Sequence, residues 1–210
     1  SVSEIVEDVH KATELGITMV HLHARDAKTG EPTYEKEVYG EIIEGIRKFA
    51  PYLVICVSLS GRNINKLELR ADRLSLEGYS KYLERKGLIE APYYFNLLLG
   101  NIACAQGDLL HTGIMVRDLP QDSLYSLAGI GNYQLQMNSL GIAIGAGVRV
   151  GLEDNIWFDT SRTTLANNMD LLDRIHTIAK ANDRKIMSPQ EFRVKMKLEP
   201  GNGKYGRKAS

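Results

Sequence analysis

The chain has 210 residues, with 26 Lys and Arg against 26 Asp and Glu, so its formal net charge is zero. That length suits one large domain, and the balanced charge excludes both the basic footprint of a nucleic-acid binder and an acidic tail. The longest apolar runs, residues 93–100 and 140–150, fall short of the roughly 20 residues that a membrane-spanning helix needs.

The first residues, Ser1-Val-Ser-Glu-Ile-Val-Glu-Asp8, are charged and helix-like, without the shape of a signal peptide. Two cysteines, Cys56 and Cys104, are too few for a disulfide framework, and each sits in an apolar run that suits a buried thiol. These features point to a cytoplasmic protein with no membrane or nucleic-acid partner.

In chain order, residues 3–16 predict a helix. Ser3 is its candidate cap, Ile5, Val6, Val9, Ala12 and Leu15 recur at helical steps, and Gly16 lies just past its end. Residues 17–23 predict a strand, 25–32 a polar loop, and 34–49 a second helix with Val38, Ile42, Ile43 and Ile46 on its buried side; Pro51 stops it. The next strand is 53–59. Strands are also expected at 93–99, 109–116 and 148–152. Residues 124–130 lead into a helix near 133–144. A periodic helix spans 164–182, with Leu165, Met169, Leu172, Ile175 and Ile178 on one side. A short helix follows Pro189, and residues 200–210 form a Gly- and Lys-rich tail.

Strand, helix and strand in alternation mark parallel βαβ units. Between residues 67 and 82 the alternation fails. Leu74-Ser-Leu-Glu-Gly78 has a strand pattern, and Tyr79 then opens abruptly on a helix ending. An α/β chain of (β/α)8 type takes about 250 residues, so residues are expected to be absent at the start and near 78–79, with 1–199 forming one barrel domain.

The chemistry centres on Met19-Val-His-Leu-His-Ala-Arg-Asp26. On a strand, His21 and His23 point to one face and Val20 and Leu22 to the other. The loop after them puts the pair at the C-terminal end of a parallel strand, the edge where α/β active sites lie. Two imidazoles there can hold one divalent metal, most simply zinc. Ordinary hydrogen-bonded histidines remain the alternative, as they are for His10, His111 and His176.

A third ligand is sought in Val148-Arg-Val-Gly-Leu-Glu-Asp-Asn155. Alternation turns Val148, Val150 and Leu152 outward and Arg149, Gly151 and Glu153 inward. Glu153 then completes a His2Glu set, a known catalytic zinc arrangement. Asp154 is a base or a partner to the ligands, while Arg149 with Glu153 also fits a structural ion pair. Ser58 and Ser60, followed by Gly61-Arg62-Asn63, offer hydroxyls and amides to a carboxylate. Gly129-Ile-Gly131 either cradles a phosphate or allows a tight turn. From these residues alone the chain is a metal-dependent α/β barrel acting on a small anion. The reaction stays open among hydrolysis, aldol chemistry and a binding role without catalysis.

Val20-His-Leu-His-Ala-Arg-Asp26, Ser58-Leu-Ser-Gly-Arg-Asn63, Pro92-Tyr-Tyr-Phe-Asn96, Ser126-Leu-Ala-Gly-Ile-Gly131 and Val148-Arg-Val-Gly-Leu-Glu-Asp-Asn155 together, in this order, resemble the β-keto acid cleavage enzymes, nearest the branch that acts on 3-keto-5-aminohexanoate in lysine fermentation. The resemblance implies a zinc-dependent (β/α)8 TIM barrel, usually a homotetramer. It implies a transferase that joins a β-keto acid and acetyl-CoA and yields acetoacetate and a new acyl-CoA.

It also implies His21, His23 and Glu153 as zinc ligands, Asp154 as general base and Arg149 as its support. The substrate contacts it implies are Ser58, with Ser60 as second choice, and the neighbouring Gly61. Relative to that family, a first strand and a stretch between residues 78 and 79 are expected to be missing.

Overall fold

The computed structural model describes residues 1–57, 84–87, 89–102 and 104–199. It forms two compact units, Ser1–Gly78 with Met187–Ser210, and Tyr79–Ile186. The strand and helix patterns expected across residues 67–83 lie outside the described residues, as does the tail.

The first unit opens with α1 (Val2–Glu14). Its cap is Ser1 rather than the expected Ser3. The Ser1 hydroxyl accepts from the Glu4 amide while the Glu4 side chain reaches back, a reciprocal capping box. Gly16 follows at φ +85°, a left-handed position that glycine adopts without strain. Then come β1 (Met19–Leu22), β2 (Ala24–Arg25), β3 (Pro32–Thr33), α2 (Lys36–Arg47) and β4 (Val54–Val57).

β1 and β4 pair in parallel, with His21 opposite Cys56, and the expected polar loop is a small antiparallel hairpin in which Ala24 pairs with Thr33. α2 buries Tyr39, Gly40, Ile42 and Ile46. It passes α1 so closely that a Cβ on Gly45 would stand 2.8 Å from Val6 Cγ2.

α6 (Pro189–Met196) also belongs to this unit; Ser188 caps it with Glu191, and Pro189 takes the first turn, where a missing N–H is harmless. Arg193 of α6 donates to the carbonyls of Tyr52 and Leu53 beside β4.

The second unit contains β5 (Tyr94–Leu99), α3 (Leu109–Arg117), β6 (Leu124–Gly129), α4 (Gln134–Ala143), β7 (Gly147–Val148) and α5 (Asn168–Ala181). Among the described residues its strands run parallel in the order β5-β6-β7. Leu97, Leu99, Leu127 and Met137 form a core with Phe95, Met115, Val116 and Leu140 against it. Ile142, Ile175 and Ala179 form a second core with Val148 and Val150. Each such aliphatic side chain contributes roughly 1.5–3 kcal/mol by burial. They glue α3, α4 and α5 to one face of the sheet.

Three expectations are corrected here. Residues 109–116 are helical, because the Asp108 carboxylate accepts the His111 amide at 2.9 Å and supplies an N-terminal cap that an apolar-run reading overlooks. The expected strand at 148–152 stops at Val148, and residues 151–154 turn. Helix α5 buries Leu171, Ile175 and Ala179; Leu165 precedes the helix and is 65% exposed. Among the described residues no helix is long and apolar enough to cross a membrane.

Candidate active site

The candidate histidines belong to the first unit. Leu22 and Ala24 are 4% and 1% exposed, whereas His21 is exposed and His23 half-buried, so burial alternates from His21 to Ala24; Met19 and Val20, earlier on β1, are both half-buried. The two rings meet edge to face with centroids 4.7 Å apart. Tyr39 of α2 fixes the chain around His23: its hydroxyl accepts the Ala24 amide at 3.2 Å and faces the Leu22 carbonyl.

Beyond the pair, the Asp26 carboxylate accepts the Lys28 and Thr29 amides and closes the hairpin. Those bonds hold its pKa below the ordinary value. Cys56 is exposed on β4 rather than buried, with Sγ 3.2 Å from His21 Nδ1. Neighbouring imidazoles on one strand face are donors of the type zinc takes, so the residues present fit a divalent transition metal.

The candidate carboxylates belong to the second unit. Arg149 extends the ladder by donating its amide to the Leu127 carbonyl, and its guanidinium reaches Glu153 at 2.6 Å and Asp154 at 3.0 and 2.9 Å. Burial pushes the Asp154 carboxyl up from its ordinary value, and the Arg149 guanidinium opposes that rise.

Glu153 sits on a turn, so strand alternation does not place it. The Gly151 carbonyl accepts from the Asp154 and Asn155 amides, and Asn168, at the start of α5, accepts the Leu152 amide. Those bonds replace the ones a longer strand would make.

Asn96 and Ser126 lie side by side in the β5–β6 register. The Tyr94 hydroxyl donates to Ser126 Oγ at 2.9 Å, and Ser126 donates to Asn96 Oδ1 at 2.8 Å. Gly129 and Gly131 serve the turn, since a Cβ on Gly129 would lie 2.1 Å from the Tyr133 carbonyl oxygen.

Gln134 and Asn138 of α4, missed in the sequence, are fully buried against the turn that carries Glu153 and Asp154. Two amides four residues apart among apolar neighbours were the available signal. Ser58, Ser60 and Gly61 lie outside the described residues.

The family model described as beta-keto acid cleavage enzyme matches residues 1–80 and 75–198. The chain belongs to the beta-keto acid cleavage enzyme family. The two matches overlap at 75–80, where the sequence alternation breaks. A relative in this family, the 3-keto-5-aminohexanoate cleavage enzyme of Fusobacterium nucleatum, is 26% identical over 250 residues, covering 95% of this chain and 90% of the relative. That alignment is longer than the chain itself, so the relative carries residues that this chain lacks.

The 3-oxoadipate:acetyl-CoA acetyltransferase of Cupriavidus necator is 26% identical over 94% of this chain and 87% of its own. Among solved structures, apo ObcA superposes with a TM-score of 0.72 at 14% identity, over 99% of this chain. The chain spans 65% of the ObcA chain. The fold of the family and of this chain is of the TIM-barrel type, and the described parallel strands and their helices supply part of such a barrel.

Proposed function

We propose that this chain, as a beta-keto acid cleavage enzyme, transfers the acyl group of a β-keto acid to CoA with acetyl-CoA as co-substrate, releasing acetoacetate. The observation that carries the reading is the bidentate grip of Arg149 on a buried Asp154, a carboxylate held in one orientation and raised in basicity. The names of the matched relatives support the substrate class. The 3-keto-5-aminohexanoate branch supplies the first substrate to try.

In this reading His21, His23 and Glu153 are the ligands of zinc, and Asp154 is the base. Zinc held by that set would polarise the β-keto carbonyl and orient the acid. Asp154 takes a proton from the carbon between ketone and carboxylate, and the resulting carbanion attacks the acetyl thioester carbonyl. CoA thiolate leaves and adds to the original ketone. The carbon–carbon bond beside that ketone then breaks, giving the new acyl-CoA and acetoacetate, whose carbanion regains a proton. Arg149 keeps the Asp154 oxygens aimed throughout, and Ser58, with Ser60 as second choice, helps hold the keto acid beside Gly61.

We read residues 1–199 as one catalytic domain of a cytoplasmic enzyme, working as a homotetramer as the resemblance implies. Assays that omit each component in turn test the reaction. Acetoacetate is expected only when β-keto acid, acetyl-CoA and metal are all present, and its formation without acetyl-CoA would reject the reading.

A further inference from the structure

Three backbone carbonyls around the Glu153–Asp154 turn are each taken by a donor from one short run, residues 131–138. Asn138 Nδ2 donates to the Arg149 carbonyl at 2.8 Å and to the Leu127 carbonyl at 3.2 Å. Gln134 Nε2 donates to the Gly151 carbonyl at 2.9 Å. The Gly131 amide donates to the carbonyl of Asp154 itself, at 2.8 Å. Because a carbonyl can only accept, the amide nitrogens must face the turn, which fixes the orientation of both side chains.

Both side chains are 0% exposed. Their own oxygens, Gln134 Oε1 and Asn138 Oδ1, are buried and make no hydrogen bond among the described residues. Burying an amide with half its capacity unmet is a poor route to stability, since a buried polar atom without a partner is costly. What the pair gains is placement: helix α4 is bolted to the backbone at residue 149, which carries the guanidinium, and at residue 151, just before the two carboxylates. Four residues apart on a helix, the two amides share one face and reach two successive anchor points.

We infer that Gln134 and Asn138 are positioning residues, which act through the 149–154 backbone to set where Glu153 and Asp154 point. The inference rests on the proposed roles of Glu153 as metal ligand and Asp154 as base. Gln134→Met keeps the volume and removes the donor. Residues that orient metal ligands are worth about 10- to 100-fold in affinity or activity. Zinc affinity, measured by chelator competition, is therefore expected to weaken about 10- to 100-fold, with a similar fall in kcat and an unchanged KM for acetyl-CoA.

Leu171→Ala is the control. Leu171 is a core residue of the same unit, outside the site. Its variant should melt earlier yet keep wild-type zinc affinity and kcat while folded. Wild-type zinc affinity and kcat in Gln134→Met would overturn the inference, as would equal losses in Leu171→Ala. Asn138→Leu takes the place of Gln134→Met, with the same outcomes, should that variant not fold. A wild-type protein that binds zinc but makes no acetoacetate would instead overturn the proposed reaction and leave the positioning role standing on zinc affinity.

Discussion

Arg149 and Asp154 form a two-pronged ion pair, Nε to Oδ2 at 3.0 Å and Nη2 to Oδ1 at 2.9 Å, with the Asp154 side chain 3% exposed. Replacing Arg149 by Met leaves that carboxyl buried without its cation. Removing one partner of a buried pair costs about 3–5 kcal/mol. With the Arg149 side chain still 17% exposed, the lower end of that range is expected. Denaturant unfolding of the variant measures it, and a stability within about 0.5 kcal/mol of wild type would show that the pair is not structurally coupled to the fold.

The ligand and base roles separate by substitution. Glu153→Gln is expected to weaken zinc binding and turnover together. Asp154→Asn should retain zinc and lose turnover by at least about 100-fold, the usual size of a general-base contribution. Metal analysis beside kinetics distinguishes them, and a fully active Asp154→Asn protein would remove Asp154 from the base role. Chelation should abolish activity and added zinc restore it.

The segment following the site depends on Asp159. Its carboxylate takes the Ser161 hydroxyl, the Thr163 amide at 3.1 Å and the Thr164 amide at 2.7 Å, which lowers its pKa from 3.8. A carboxyl with a depressed folded value stabilises the fold above its unfolded value, and that contribution fades as the pH falls from there towards the folded value. Melting temperature should therefore drop more for wild type than for Asp159→Asn between pH 6 and pH 3. Parallel drops would show that Asp159 does not hold the segment.

Packing of α5 gives a contrast between two leucines. Leu171 is 0% exposed and Leu165 is 65% exposed. Leu171→Ala should cost about 2–5 kcal/mol, as core truncations do, whereas Leu165→Ala should stay within about 0.5 kcal/mol of wild type. Urea midpoints of the two variants decide it, and similar losses in both would place Leu165 in a packed contact.

Much of the architecture was legible because periodicity reports burial directly. Val20 and Leu22 against His21 and His23 pointed to the strand face, and Pro189 marked the last helix. The secondary-structure errors share one cause, the use of backbone groups by side chains. Asp108 turned an apolar run into helix α3, and Asn168 and the Gly151 carbonyl ended β7 before Glu153. In the site, the residue types of Arg149, Glu153 and Asp154 were readable, but not the turn that presents two of them. Gln134 and Asn138 showed in the sequence only as two amides four residues apart; what they bind was hidden, because their partners are carbonyls, which every residue carries.

The most direct test of the account follows one carbon. With acetyl-CoA labelled at the acetyl carbonyl and 3-keto-5-aminohexanoate as partner, the label should appear at the ketone carbon of acetoacetate, beside an unlabelled new acyl-CoA. Unlabelled acetoacetate, or label in the new acyl-CoA, would contradict it.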